Sequence, residues 1–225
     1  MKKIIIAAIF TLIGFAQTQA QVTFRPGLRA GANFSHFTDG SDYYYYYNGS
    51  NDNNSADFKS KADFYIGFYG ALKLTRYYTL QPEITYSRQG SKFETSYREE
   101  IYNENSGTVT YRNITNSGQL DVSYLSIAVI NKFTFTEKFN LHIGPTLDFV
   151  VDKGGSLLRS DNYYYDGDPT DVDLAFVAGV GFNFTKNFGI EARVKKGIVP
   201  VIDTYNDSHT NVVFSAGATY TFDLK

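Results

Sequence analysis

Residues Val212 to Leu224 read VVFSAGATYTFDL and alternate without a break. Val212, Phe214, Ala216, Ala218, Tyr220, Phe222 and Leu224 share one parity, while Val213, Ser215, Gly217, Thr219, Thr221 and Asp223 share the other. A period of two puts these sets on opposite faces of a β-strand, whereas a helix would mix them. Upstream, Leu174, Phe176, Ala178, Val180, Phe182 and Phe184 alternate in the same way, as do Ile190, Ala192 and Val194 against Glu191, Arg193 and Lys195. Five further segments, Val22 to Ser35, Phe64 to Leu74, Tyr78 to Gln89, Leu120 to Phe135 and Phe139 to Val151, bring the count to eight. In one of them, Leu120 and Val122 fall out of phase with Leu125, Ile127 and Val129, which predicts a bulge near Tyr124.

The connections alternate as well. Arg76-Tyr77, Thr136-Glu137-Lys138 and Thr185-Lys186-Asn187 read as tight polar turns, whereas His36 to Lys61, Gly90 to Asn116, Gly154 to Asp171 and Val201 to Thr210 read as long polar loops. Hairpins with short turns at one end and long loops at the other describe an up-and-down meander. Eight antiparallel strands close into a barrel and leave no edge. The expected fold is therefore all-β, an eight-stranded antiparallel up-and-down barrel.

Alternation alone leaves open whether the apolar set faces a core or a bilayer. Three features point to the bilayer. The non-apolar set is rich in glycine, at Gly31, Gly67, Gly144, Gly179, Gly181 and Gly217, which suits a narrow lumen better than a solvent face. It also carries both signs of charge, at Arg29, Lys73, Glu83, Lys132, Asp148, Glu191, Arg193 and Lys195, together with His142. On the lipid face each Arg or Lys near the midplane would cost about 2–4 kcal/mol. Aromatic residues, among them Tyr77, Tyr78, Phe133, Phe135, Phe139, Phe182, Phe184, Phe188, Tyr220 and Phe222, crowd the strand ends beside the short turns, where rings suit the headgroup level. The expectation is a transmembrane barrel with short periplasmic turns, long extracellular loops and a lumenal polar network.

The first residues, MKKIIIAAIFTLIGFAQTQA, place Lys2 and Lys3 before an apolar run and end on small residues, which predicts a signal peptide over 1–20 and one barrel domain over 21–225. The chain has no cysteine, hence no disulfide framework and no thiolate chemistry. Its net charge of −2 gives no basic footprint for nucleic acid. It carries 19 Tyr, 19 Phe and 19 Gly but no Trp, a balance that favours strands and turns.

The segments GLRAGANFSHF from Gly27, LQPEITYSRQG from Leu80, YLSIAVINKF from Tyr124, NLHIGPTLDFVV from Asn140 and GVGFNFTKNFGIEARVKKGI from Gly179 occur in order through the strands. In this the chain resembles the Bacteroidota outer-membrane β-barrel family, the porin-family or PorT-like proteins related in shape to the OmpX and OmpA barrels. It departs from them in having Ala128 where proline is common and in ending Asp223-Leu224-Lys225 rather than on an aromatic residue. The resemblance implies the fold, residence in the outer membrane, contact with its lipid and recognition by the barrel-assembly machinery through the last strand, with Phe214, Tyr220 and Phe222. It does not extend to the secretion role of PorT.

Enzyme chemistry has little to stand on. His142 with Asp148 on the same parity, and His36 after Ser35 at a strand end, allow a barrel-mouth hydrolase only as a remote alternative, since no nucleophile-elbow, zincin or paired-carboxylate motif is present. Asp166, Asp168, Asp171 and Asp173 are dense enough to hold a hard cation, but they fit no EF-hand spacing and read first as a solvated acidic loop. No cofactor is expected. Two tyrosine runs, Tyr43, Tyr44, Tyr45, Tyr46 and Tyr47, and Tyr163, Tyr164 and Tyr165, lie in polar surroundings and read as an aromatic contact surface or as membrane-interface anchors. The expected function is a non-enzymatic scaffold that displays Tyr-rich acidic loops to an extracellular ligand or envelope protein, for adhesion, surface binding or envelope integrity. The alternative is a narrow-pore transport or secretion-associated barrel.

Overall fold

The computed structural model describes residues 22–38, 44–45, 52–53, 55–104, 106–155, 171–200, 202–203 and 208–223. Eight long strands form the barrel: β1 (Thr23–Phe37), β2 (Ser55–Lys73), β3 (Tyr78–Asn103), β4 (Thr108–Thr134), β5 (Phe139–Gly155), β6 (Val172–Asn183), β7 (Phe188–Gly197) and β8 (Asn211–Thr221). Each pairs antiparallel with its neighbour in sequence, and β1 pairs with β8 to close the ring. Two-residue strands at Tyr44–Tyr45 and Asp52–Asn53 pair with each other, as do Ile202–Asp203 and Ser208–His209. The structure is an eight-stranded up-and-down transmembrane β-barrel.

Burial follows the sequence parity. On β5, Leu141, Ile143 and Leu147 are exposed while Asn140, His142, Thr146 and Asp148 are buried. The same inversion holds on β7, where Ile190 and Val194 face out and Glu191 and Arg193 face in. A water-soluble core would place these sets the other way round, so the outward apolar band is lipid-facing surface.

The closing seam explains why some inward positions are glycine. Gly31 of β1 stands opposite Gly217 of β8, between the pairs Ala30–Ala218 and Ala32–Ala216. A Cβ on Gly31 would come within 2.5 Å of the Gly217 Cα and 2.8 Å of the Ala216 carbonyl carbon. Inward, Tyr65 and Tyr69 of β2 lie over Gly217 and Gly27 and hydrogen-bond to Glu191 Oε1 at 3.2 Å and Thr221 Oγ1 at 2.6 Å. Rings thus cover the bare glycine backbone.

The three tight turns share one construction. Thr75, Thr136 and Thr185 each accept backbone N–H groups two and three residues on: Tyr77 and Tyr78, Lys138 and Phe139, Asn187 and Phe188. Each turn is an apolar residue, a threonine, a charged residue, one further residue and an aromatic one. The hydroxyl satisfies donors that a short turn would otherwise leave to solvent.

Two expectations are corrected. Gly90 to Asn116 is not a loop. β3 and β4, 26 and 27 residues long, continue as an antiparallel ribbon to a turn at Gly107, whose φ is +63°. Part of His36 to Lys61 also joins the sheet, since Ser55 to Ser60 pair with Ser91 to Ser96. The ribbon has no apolar face for periodicity to reveal, because both of its faces are wet; its Thr, Tyr, Val and Ile content and the turn around Gly107 carry the strand signal instead. Secondly, the register shifts between Ser123 and Tyr124, where the bulge is expected, but β4 keeps its own alternation past Tyr124. Leu120 and Val122 point inward like Tyr124, and the irregularity lies in the partner strand, where Val151 is extra between Val150, opposite Tyr124, and Asp152, opposite Ser123.

Candidate functional site: the filled lumen and the outer ribbon

The lumen is filled in layers. Nearest the short turns, Arg29 of β1, Glu83 of β3 and Glu191 and Arg193 of β7 meet at the barrel axis. Arg193 donates to both Glu83 oxygens, at 2.8 and 2.9 Å, and to Glu191 Oε2 at 2.8 and 3.1 Å. Arg29 donates to Glu191 Oε1 at 2.8 Å and to Glu83 Oε2 at 3.1 Å. Two positive and two negative charges close on themselves, and Gln81, Thr85 and Tyr65 add hydrogen bonds around them. Such a cluster holds its geometry because every buried charge has several partners, and any single removal would strand the rest.

His142, 2% exposed, hydrogen-bonds through Nε2 to Asn140 Oδ1 at 2.5 Å, and its Nδ1 is 3.9 Å from Glu191. Lys132 lies half-buried opposite His142 in the register. Lys73 is different: it is exposed at the rim beside the first tight turn.

Above the charges lies an amide layer. Asn33 and Gln89 both donate to Ser87 Oγ at 2.8 Å, and Asn211 donates to Gln89 Oε1 at 2.6 Å. The cavity between these layers, bordered by Arg29, Asn33, Glu83, Gln89 and Arg193, has room for a few water molecules. On the far side, Lys195 pairs with Asp148. An apolar cap of Phe37, Leu120, Val122 and Tyr124, backed by Phe58 and Val150, then covers the end towards the long loops. Phe37 and Phe58 meet edge to face at 5.8 Å.

Sequence reasoning missed Tyr65, Gln81, Asn33, Gln89, Asn211 and Phe37. Parity was the available signal: Asn33 and Phe37 share it with Arg29, and Gln81 and Gln89 share it with Glu83. Other expected residues are placed apart. Asp148 is bonded to Lys195 and Thr146 rather than to His142, so the pair considered for a hydrolase does not meet. His36 is half-buried at the rim, and His209 bonds through Nδ1 to Thr38 O at 2.7 Å. Asp171 is exposed and pairs with Lys153 at 3.0 Å, whereas Asp173 turns into the lumen. Asp166 and Asp168 lie outside the described residues, as do Tyr43, Tyr46, Tyr47 and Tyr163 to Tyr165. Among the described residues no three His, Asp or Glu side chains gather as a metal site. Tyr44 and Tyr45 pair with Asn53 and Asp52.

Phe214, Tyr220 and Phe222 are exposed on the outer face of β8, with Tyr220 and Phe222 edge to face at 5.2 Å. Beyond them the chain is clasped to the barrel: Arg25 pairs with Asp223 at 2.5 Å and Asn187 donates to Asp223 Oδ2 at 3.1 Å.

The ribbon presents a second surface. Residues directly opposite share a face, so Tyr102, Val109, Glu100, Tyr111 and Arg98 lie together on the side that continues the lipid-facing wall. Tyr102 is 62% and Tyr111 51% exposed, and the Arg98 guanidinium stands 4.0 Å over the Tyr111 ring. From Gln119 to Thr108 the ribbon extends roughly 40 Å along the strand.

Residues 15–203 match the outer membrane protein beta-barrel domain. Among solved structures, the chain is similar to Ail, the attachment invasion locus protein of Yersinia pestis, in complex with the heparin analogue sucrose octasulfate, at 13% identity over 88% of this chain and 99% of that one, with a TM-score of 0.44. It is also similar to Neisserial surface protein A, at 13% identity over 88% and 97% with a TM-score of 0.45. The outer membrane protein OprG from Pseudomonas aeruginosa gives 12% identity over 90% and 98%, with a TM-score of 0.45. No curated protein sequence matches the chain.

Proposed function

Taking as premise that the chain belongs to the outer membrane protein beta-barrel domain family, we propose that this outer-membrane barrel is a non-enzymatic scaffold whose work is done outside the membrane, by surface binding or adhesion. Within the family, the strand segments that resemble the Bacteroidota porin-family and PorT-like barrels support a place among those small barrels, without the secretion role. The observation that carries the display reading is the length of β3 and β4. A strand tilted in a bilayer needs about 9–11 residues to cross it, and these have 26 and 27. The surplus is an ordered ribbon with exposed Tyr102, Tyr111 and Arg98, residue types that dominate binding surfaces. The tyrosine runs at Tyr43 to Tyr47 and Tyr163 to Tyr165 would add to the same contact surface.

The filled lumen supports this reading over transport. Arg29, Glu83, Glu191 and Arg193 occupy the axis, and the apolar cap lies above them. The test pairs two measurements on the full-length barrel. Cells displaying it should lose attachment to a surface when residues 94–117 are replaced by a two-residue Asn-Gly turn, and the refolded protein should show no steady conductance in a planar bilayer. Attachment that survives the truncation would overturn the ribbon as the binding surface, and conductance well above leak would move the assignment to transport.

A further inference from the structure

The two ends of the barrel handle charge differently. At the long-loop end Lys61, Arg88, Arg112 and Lys153 each lie within ion-pair distance of a carboxylate. The three tight turns hold Arg76, Lys138 and Lys186 against one acid, Glu137, and all four side chains are exposed. Among the described residues none of these three cations forms an ion pair. The other acidic side chain described at this end, Asp223, is taken up by Arg25 at 2.5 Å. The turn end therefore carries uncompensated positive charge, to which the exposed Lys73 adds.

Rings set the depth of these cations, which is an independent observation. The Arg76 guanidinium stands 5.6 Å from the centroid of the Tyr77 ring, itself exposed. Lys138 directly precedes Phe139, and Lys186 lies between Phe184 and Phe188, whose rings stack with centroids 5.8 Å apart. Phe135, Phe139, Phe184 and Phe188 are exposed on the apolar outer wall. At about 3.3 Å per residue each cation is roughly 3–7 Å beyond a ring of this belt, about the thickness of one headgroup layer. Rings that sit at the membrane boundary thus hold the cations level with lipid phosphates.

We propose that the short-turn end is a docking surface for anionic phospholipids of the periplasmic leaflet, of the phosphatidylglycerol class, with Arg76, Lys138 and Lys186 on headgroup phosphates and the flanking rings packed beneath them. Charge selects the partner. A zwitterionic headgroup brings its own ammonium, which offsets most of the attraction, whereas an anionic headgroup leaves its phosphate to the protein's cation. Guanidinium and ammonium both suit phosphate, the first as a fork and the second as a point charge. Depth favours lipid over an anionic cell-wall polymer, because the cations stand within the headgroup layer and not beyond it.

The experiment uses the full-length barrel refolded into phosphatidylcholine vesicles that contain a trace of spin-labelled lipid, either phosphatidylglycerol or phosphatidylcholine. The immobilised fraction of each label gives its relative association with the barrel. A lipid held at one cation should be favoured roughly fivefold, so the phosphatidylglycerol label should associate at least about twofold more strongly when averaged over the whole belt. The preference should shrink in high salt, as contacts between exposed charges do. The triple variant Arg76→Gln, Lys138→Gln, Lys186→Gln should lose most of it, and a heat-modifiable folded band shows that this variant is intact. Removing equal charge from the ribbon, with Lys92→Gln, Arg98→Gln and Arg112→Gln, should leave the preference unchanged. Equal association of the two labels with wild type would overturn the proposal, as would an undiminished preference in the turn variant. A preference lost only in the ribbon variant would overturn the turn end as its seat. Retention of the barrel on purified peptidoglycan that the turn variant abolishes, without any lipid preference, would overturn it in favour of a cell-wall contact.

Discussion

Arg193 and Glu83, 110 positions apart in the chain, meet at the barrel axis through two parallel hydrogen bonds of 2.8 and 2.9 Å. The same Arg193 holds Glu191, and Arg29 bridges both glutamates, so the cluster ties β1, β3 and β7 across the lumen.

Glu83→Gln should therefore cost far more than a surface substitution. It leaves Arg29 and Arg193 buried against a single carboxylate, a loss of about 3–5 kcal/mol for breaking a buried pair. Chemical denaturation in lipid vesicles would measure it, and a change below about 1 kcal/mol would mean that water reaches the cluster. Lys73→Gln, at the exposed rim, should stay within about 0.5 kcal/mol.

The seam offers a second prediction. Gly217→Val should prevent closure, because a side chain there collides with the backbone of β1 and with Tyr65. The expected outcome is loss of the heat-modifiable folded band. Outward on the same strand, Ala218→Val should fold, since Ala218 lies on the parity of the exposed Phe214 and Tyr220.

A third prediction separates two residues of similar exposure. Ile127 is 46% and Tyr111 51% exposed. Ile127 belongs to the apolar band and Tyr111 to the ribbon beyond it, so Ile127→Arg should destabilise the barrel in vesicles by about 2–4 kcal/mol. Tyr111→Arg should change stability by less than about 0.5 kcal/mol. Equal effects would place the membrane boundary elsewhere.

The turns give a fourth. Thr136→Ala removes the acceptor for Lys138 N–H and Phe139 N–H, and about 1 kcal/mol of stability should go with it. Thr136→Ser should retain most of that, because the hydroxyl is what the turn uses.

The barrel was legible because a bilayer enforces alternation. Every residue from Leu141 to Asp148 meets either lipid or a crowded lumen, so Leu141, Ile143 and Leu147 differ in kind from His142, Gly144 and Asp148. The placement of Arg29, Glu83, Glu191 and Arg193 on one parity was readable for the same reason, but their pairing was not, since it depends on how three strands face one another around the axis. The ribbon escaped because Glu99, Arg112 and Thr110 cost nothing on either wet face. Leu120 and Val122 misled for the opposite reason: apolar side chains there cap the lumen, so apolar did not mean outward.

The ribbon also changes what an encounter outside the cell would require. Its residues have given up their backbone freedom on folding, at about 1–2 kcal/mol apiece, whereas a coil of equal length would surrender that entropy on contact. Because β3 and β4 run unbroken from barrel wall to tip, Tyr102 and Tyr111 are carried by a stiff probe whose bearing is set by the strand tilt within the membrane. On the display reading proposed above, any partner would then be selected by direction of approach more than by the wandering of a tether.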